Sequence, residues 1–286
     1  MRNLKRTICL CLSLLMVLGC LSGLTLPISA EAESAESYNV WVLNTQITGE
    51  NKNDVLGNGK LRYDPLRRIL YINGAGTLTG STEHEGNAVV YTPGTLTVNL
   101  SGSSTMIAAS YGIRTGGDLH LQGEGKLTIN AKDSGIYCGG TLCMDDELNV
   151  PTVSIGANYY GIRANEAILW QGNLAARSFG HNYDSQDEIA NAGIYVTGGE
   201  LLLGSPDLRA NRNSLTLDAV AQNGIAVYAE GGITLCRYES VSEPNPYTLT
   251  DGDQSIADAT GERAAELKLA PMDTYEILTN DDLIDN

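Results

Sequence analysis

Between Tyr111 and Ile129 the chain reads YGIRTGGDLHLQGEGKLTI, two short runs in which apolar and polar residues alternate, each preceded by glycines. Alternation with period two buries one face of an extended strand and wets the other, whereas a helix needs apolar positions three and four apart. The pattern returns in SGIYCGGTLCM from Ser134 and in YGIRANEAILW from Tyr160. Aligned on a Gly-Ile or equivalent pair, it recurs at Ala88-Val89, Gly112-Ile113, Gly135-Ile136, Gly161-Ile162, Gly193-Ile194 and Gly224-Ile225, with steps of 24, 23, 26, 32 and 31 residues. A turn follows each pair, often a double glycine. Then comes a second alternating run (TLTVNL, DLHLQG, TLCMDD, AILWQG, ELLLGS, GITLCR) and in most repeats a third (KLTINA, TVSIGA, NLAARS, SLTLDA).

Runs this short cannot bury a core alone and must stack on copies of themselves. A step of about 23 residues at roughly 3.3 Å each gives a coil perimeter near 75 Å, enough for three short strands joined by turns. Glycine pairs inside every unit disfavour helical repeats. The absence of an asparagine ladder disfavours a leucine-rich repeat, and the unequal steps disfavour a strict hexapeptide left-handed helix. The pattern therefore predicts an all-β protein, a right-handed parallel β-helix of about six coils over residues 81–240. A small N-terminal β cap over 33–80 and a C-terminal cap with an acidic tail over 241–286 are predicted to flank it.

Alternation assigns Ile113, Thr115, Leu119, Leu121, Leu127 and Ile129 to the interior and sets outward residues in columns. One column reads Val90, Arg114, Tyr137, Arg163, Tyr195, Ala226. Another reads Thr97, His120, Cys143, Leu169, Leu202, Thr234, and a third Thr128, Ser154, Ala175, Thr216. At the N-terminal end SYNVWVLNTQITG and KLRYDPLRRILYING read as strands, with Asp64-Pro65 as a hairpin turn and Trp41 and Tyr71 over the first coil. At the other end AELKLAPMDTYEIL is expected to close the last coil.

Composition narrows the function classes. The 286 residues include 32 glycines, 14 tyrosines and one phenylalanine, so the core is one of Leu, Ile, Val and Ala. A formal charge of −16 repels phosphate backbones and anionic headgroups, which argues against nucleic acid and polybasic membrane docking. Arg2, Lys5 and Arg6 precede an apolar run from Ile8 to Leu21, and ISAEA offers small residues for cleavage, so residues 1–32 read as an export signal. VLGC ending at Cys20 resembles a lipoprotein box, an alternative to plain secretion. No second apolar run is long enough for a transmembrane helix. The expected location is extracellular. Outside the signal the cysteines are Cys138, Cys143 and Cys236, an odd set; Cys138 and Cys143 are assigned to opposite faces, and no bridge between them is expected.

Candidate chemistry lies on the outward columns and in insertions. Tyrosine faces stack on sugar rings and guanidinium groups pair with carboxylates, so Arg114, Tyr137, Arg163 and Tyr195 could hold an acidic polysaccharide. The competing view is that long side chains simply stack and cover the sheet. The insertion FGHNYDSQDEIAN, from Phe179 to Asn191, adds His181, Tyr183 and Asp184 as candidate ligand contacts. In DGDQSIADATGE, Asp251, Asp253, Ser255 and Glu262 sit at calcium-loop offsets, although Ile256 stands where such a loop needs glycine. MDDEL, with Asp145, Asp146 and Glu147, is a second Ca²⁺ candidate against a plain acidic turn. His84, His120 and His181 show no zinc spacing. No stacked Asp pair suits glycoside hydrolysis and no GxSxG or P-loop occurs, so no catalytic residue is assigned.

YNVWVLNTQITGENKNDVLGNGKLRYDP, Tyr38 to Pro65, followed by repeats of the YGIRTGGDLHLQGEGKLTI type, resembles a class of secreted bacterial β-helix proteins described as carbohydrate-binding domain-containing and common in gut Firmicutes-like bacteria. The likeness covers roughly Tyr38 to Arg237. It implies an extracellular β-helix with a glycan ligand, and carries over no ligand residues. The expected function is non-catalytic binding of a polysaccharide or cell-surface glycan. The alternatives are an adhesin-like or structural surface protein, and a polysaccharide lyase.

Overall fold

In the computed structural model the described residues are 36–271, apart from 82, 84–86, 146–148, 181–188, 205–213, 237, 241–247, 250–253 and 259. They are all-β: every element among them is a strand and none is a helix. From Ser37 onward the described residues form one compact unit. The segment assigned to export, residues 1–32, lies outside the described residues, as do His84, Asp146 and Glu147.

Three parallel ladders carry the repeat. The first runs through Ala88–Thr92, Tyr111–Thr115, the first half of Ser134–Met144, the first half of Tyr160–Leu169, Ala192–Val196 and Ile225–Ala229. The second runs through Ile69–Asn73, Leu96–Ser101, Leu119–Gln122, the second halves of the same two long strands, Leu201–Leu203 and Ile233–Leu235. Because the two long strands belong to both, the first and second ladders form one 14-stranded sheet. The third runs through Gly76–Gly80, Ser103–Ala108, Lys126–Ala131, Thr152–Ala157, Gln171–Ser178 and Ser214–Ala221, the body of an 8-stranded sheet.

Parallel pairing needs identical inward positions to lie rung on rung, and alternation supplies them. Ile113, Thr115, Leu119, Leu121, Leu127 and Ile129 are all buried, as predicted, and the five apolar ones join one cluster with their neighbours on adjacent rungs. The glycine of each Gly-Ile pair has a steric reason. A Cβ on Gly112 would run into Ile129 Cγ2, and one on Gly135 into Ile155 Cγ2. These glycines let the first ladder lie close to the third. Cys138 faces the core and Cys143 the outside, both as free thiols.

Parallel growth is capped by antiparallel strands at both ends. Ser37–Val42 pairs antiparallel with Ala88–Thr92, and Glu266–Pro271 pairs antiparallel with Ser214–Ala221. Asp64-Pro65 makes the expected hairpin between Leu61–Asp64 and Ile69–Asn73, with Asp64 Oδ1 accepting from Leu66 N at 3.0 Å. Trp41 packs on Tyr91, ring centroids 5.6 Å apart. Tyr71 does not cover a coil end. It stands on a strand already in the second ladder, with the Arg62 guanidinium 4.0 Å from its ring centre.

Register differs from the expectation at a few places. Val90, not Val89, pairs with Ile113, and Val227, not Ile225, pairs with Ile194, so those steps are 23 and 33 residues. Ile168, not Leu169, continues the His120–Cys143 column, and Asp218, not Thr216, continues the Thr128–Ser154–Ala175 column. Val89 and Val90 are both buried, and Ile225 and Thr216 share a strand face with Val227 and Asp218 two residues on, so these are shifts of pairing register. Leu169, Val90 and Val227 are buried in the core, as is Val89, so a dipeptide match does not fix which residue meets the neighbouring rung.

Candidate functional site

With that register the outward column of the first ladder becomes Tyr91, Arg114, Tyr137, Arg163, Tyr195, Tyr228. Val90 and Ala226, expected at its ends, are instead buried. Trp41 extends the column by antiparallel pairing with Tyr91. Tyr111 and Tyr160 flank it from the starts of their strands. Aromatic or guanidinium groups thus occupy every rung.

The rungs are in contact. The Arg114 guanidinium carbon lies 5.2 Å from the ring centres of both Tyr111 and Tyr137. That of Arg163 lies 5.4 Å from Tyr160, 5.6 Å from Tyr195 and 5.9 Å from Tyr137. A cation over a ring face is attracted by the ring quadrupole, about 0.5–1 kcal/mol at exposed sites and more when desolvated. Neither guanidinium makes an ion pair with any described residue. The Arg163 Nε is buried without an acceptor. In a chain carrying −16, these two guanidinium groups are local positive charge set among aromatic rings.

Toward the C-terminal end the strip closes over itself. Tyr160, Ile189, Ala192, Tyr195 and Tyr228 form a second apolar cluster, outside the main core. The Tyr160 hydroxyl donates to Ile189 O at 2.7 Å, that of Tyr195 to Glu230 Oε1 at 2.7 Å, and that of Tyr228 to Gln254 Oε1 at 3.2 Å. Burial, and then the Glu230 carboxylate, push the Tyr195 phenol well above its ordinary value. Burial and then Asp133 raise Tyr111 as well. Beyond Tyr228, whose ring centre is 5.5 Å from the Arg263 guanidinium carbon, opens a cleft of about 440 Å³. Ile189, Ala190 and Asn191 line it on one side, Glu262 and Arg263 on another.

The structure therefore brings Arg114, Tyr137, Arg163 and Tyr195 together, and sets the end of the Phe179–Asn191 insertion at the same strip. His181, Tyr183 and Asp184 within that insertion lie outside the described residues, as do Asp251 and Asp253. Of the calcium-loop candidates that are described, Glu262 lines the cleft. Ser255 bridges Tyr228, and Ile256 is buried in a short strand with Ala257.

A second cluster sits on the outer face of the second ladder. His120 pairs with Cys143 on the next rung, and Asp145 follows two residues later on the same face. One ligand-capable atom from each of the three lies within 4.8 Å of the others. The Cys143 thiol is pushed up to about 12, first by burial and then by Asp145, Asp118 and Glu166. Asp118 and Glu166 are themselves held by Thr141, through its N–H at 2.9 Å and its hydroxyl at 3.3 Å. Histidine spacing along the chain did not reveal this group, because His120 meets Cys143 and Asp145 only through rung pairing across the ladder. The stacking of His120 on Cys143 in the outward column was the signal that could have found it.

No family model, no curated protein and no solved structure matches the chain.

Proposed function

We propose that the protein is an exported, non-catalytic glycan-binding module whose ladders wind as a right-handed parallel β-helix of about six coils. An acidic polysaccharide lies along the outer strip of the first ladder. One observation carries this reading: Arg114 and Arg163 stand on alternate rungs, between tyrosine rings, with no carboxylate partner among the described residues. Two rungs span about 9.5 Å, so the cations are spaced to meet successive anionic groups of an extended chain. Tyr111 and Tyr137, both half-buried, supply ring faces and edges for the sugars between. The cleft beyond Tyr228 offers a place for one end of the ligand. The basic and apolar run in residues 1–32 supports export to where such polymers occur.

The alternative is a structural or adhesin-like wall, in which the strip is satisfied internally. The burial of Tyr195 and its bond to Glu230 favour that view for the C-terminal half of the strip. Affinity electrophoresis of the purified chain separates the two. Migration through gels containing polygalacturonate is expected to be retarded, more strongly at low salt, and migration through neutral glucan much less. Arg114→Ala with Arg163→Ala should weaken retention roughly tenfold or more, the scale of losing charge-assisted hydrogen bonds. Absence of retardation by any acidic or neutral polysaccharide, or unchanged retention in the double variant, rejects the site. Unsaturated uronate products appearing by absorbance would instead establish lyase activity.

A further inference from the structure

We propose that His120, Cys143 and Asp145 form a transition-metal site on the outer face of the second ladder, with Zn²⁺ the ion that its donors fit best. The argument starts from the ladder. Parallel neighbours lie about 4.8 Å apart, so a His stacked on a Cys places an imidazole nitrogen and a thiol sulfur at the separation one ion can bridge. Strand alternation returns Asp145 to the same face two residues after Cys143. The three donor atoms, within 4.8 Å of one another, need only modest side-chain rotation to reach the roughly 3.3–3.7 Å donor spacing of tetrahedral zinc.

The donor chemistry selects the metal. One imidazole, one thiol and one carboxylate make a mixed N, S, O set suited to zinc and its borderline neighbours. Calcium and magnesium require oxygen alone. As the sulfur–metal bond forms, the thiol proton leaves to solvent. Asp118 and Glu166, both bound to Thr141 two residues before Cys143 on the same strand face, add negative charge there, which favours a divalent cation. Thr141 orients both carboxylates, so that field is fixed in position. Three protein ligands leave a fourth position open. Trp170 follows Leu169, the rung partner of Met144, and so stands beside Asp145; its indole Nε1 is buried without an acceptor.

Titration of the purified, reduced chain with Co²⁺ tests the site. One equivalent should produce the thiolate-to-cobalt charge-transfer band with tetrahedral d–d absorption, and Zn²⁺ should displace it. Cys143→Ser should abolish the band, whereas Cys236→Ser should leave it intact. His120→Ala and Asp145→Asn should each weaken Co²⁺ binding roughly tenfold or more. Circular dichroism establishes that each variant keeps its sheet. Should Cys143→Ser lose it, His120→Ala decides, since unchanged cobalt affinity there overturns the proposal. A missing thiolate band in the parent chain, or a band that survives Cys143→Ser, overturns it as well.

Discussion

The outer faces of the first and third ladders make opposite use of the same backbone. Rung by rung the third ladder presents Thr77, Thr105, Thr128, Ser154, Ala175 and Asp218, where the first presents Tyr91, Arg114, Tyr137, Arg163, Tyr195 and Tyr228. Both bury the same kind of inner residue into one shared core. Short hydroxylated and small side chains are therefore enough to finish an outer face of this fold. Six large aromatic and cationic groups on the other face exceed what stacking requires, and one of them leaves a buried Nε without an acceptor. A buried polar atom without a partner costs stability, and each face carries one, Arg163 Nε on the first ladder and Asp218 Oδ1 on the third, so the contrast between the faces is one of side-chain size and charge.

The largest effect should come from the layer that both faces share. Ile136 is fully buried, with Ile113 on one side and Ile162 on the other. Ile136→Ala is expected to cost about 2–5 kcal/mol in urea unfolding, because it removes apolar contact and leaves a cavity in a stack that cannot collapse around it. A loss below about 1 kcal/mol would mean that the rungs do not share a close-packed core, and the face comparison would lose its common reference.

That inner layer was the most legible part of the sequence. Alternation over DLHLQG or KLTINA has only one arrangement that hides leucine and isoleucine, and the Gly112 and Gly135 positions are imposed by contacts with Ile129 and Ile155. The outer column of the first ladder was legible through the middle repeats, where the Gly-Ile pair recurs, and slipped at Ala88-Val89 and Gly224-Ile225, while the other two columns slipped at Leu169 and Thr216. At both ends the inward place goes to a valine further along, Val90 or Val227, and Tyr91 and Tyr228 enter the strip as a result. Local dipeptides carry no information about which of two adjacent apolar residues a neighbouring strand will accept. The His120–Cys143–Asp145 group stayed hidden for a related reason. Its proximity is created by the parallel pairing of His120 with Cys143, and no short motif encodes it.

Next in size is the separation of binding from stability along the strip. Arg163→Met keeps length and apolar contact with Tyr137, Tyr160 and Tyr195 but removes the cation. Retention by polygalacturonate should fall roughly tenfold, about 1.4 kcal/mol, while stability in urea changes by less than about 1 kcal/mol. The ring attraction lost is offset by no longer burying the unpartnered Nε. A stability loss well above that with retention unchanged would make the strip a folding device, and the contrast between the faces would then be one of packing alone.

A smaller effect reads the closed end of the strip through pH. Tyr195 is buried and donates to Glu230, so its phenol ionises far less readily in the folded chain than in the unfolded one, whose value is near 10. The unfolded chain loses that proton first, so this stabilisation is complete below pH 10 and declines as pH rises above it. Tyr195→Phe should cost about 1 kcal/mol at neutral pH, the net worth of one hydrogen bond, and should make the alkaline fall in stability shallower. Equal alkaline slopes in the two proteins would show that another group governs the transition.

The third ladder supplies the control with the smallest expected change. Thr128 and Ser154 are rung neighbours on its outer face, half-buried, with no charged or aromatic partner to lose. Replacing both by alanine removes two hydroxyls already next to water and leaves the backbone ladder and the inward residues Leu127, Ile129, Val153 and Ile155 in place. Stability should stay within about 0.5 kcal/mol of the parent, and polysaccharide retention should be the same. Alanine at Ala175, the following rung, shows that the fold already accepts a bare methyl in this column. If the Thr128→Ala, Ser154→Ala variant instead migrates freely through polygalacturonate with its unfolding curve unchanged, the polymer lies on the hydroxyl-bearing face. The Arg and Tyr groups of the first ladder would then be a stacked cover for the sheet.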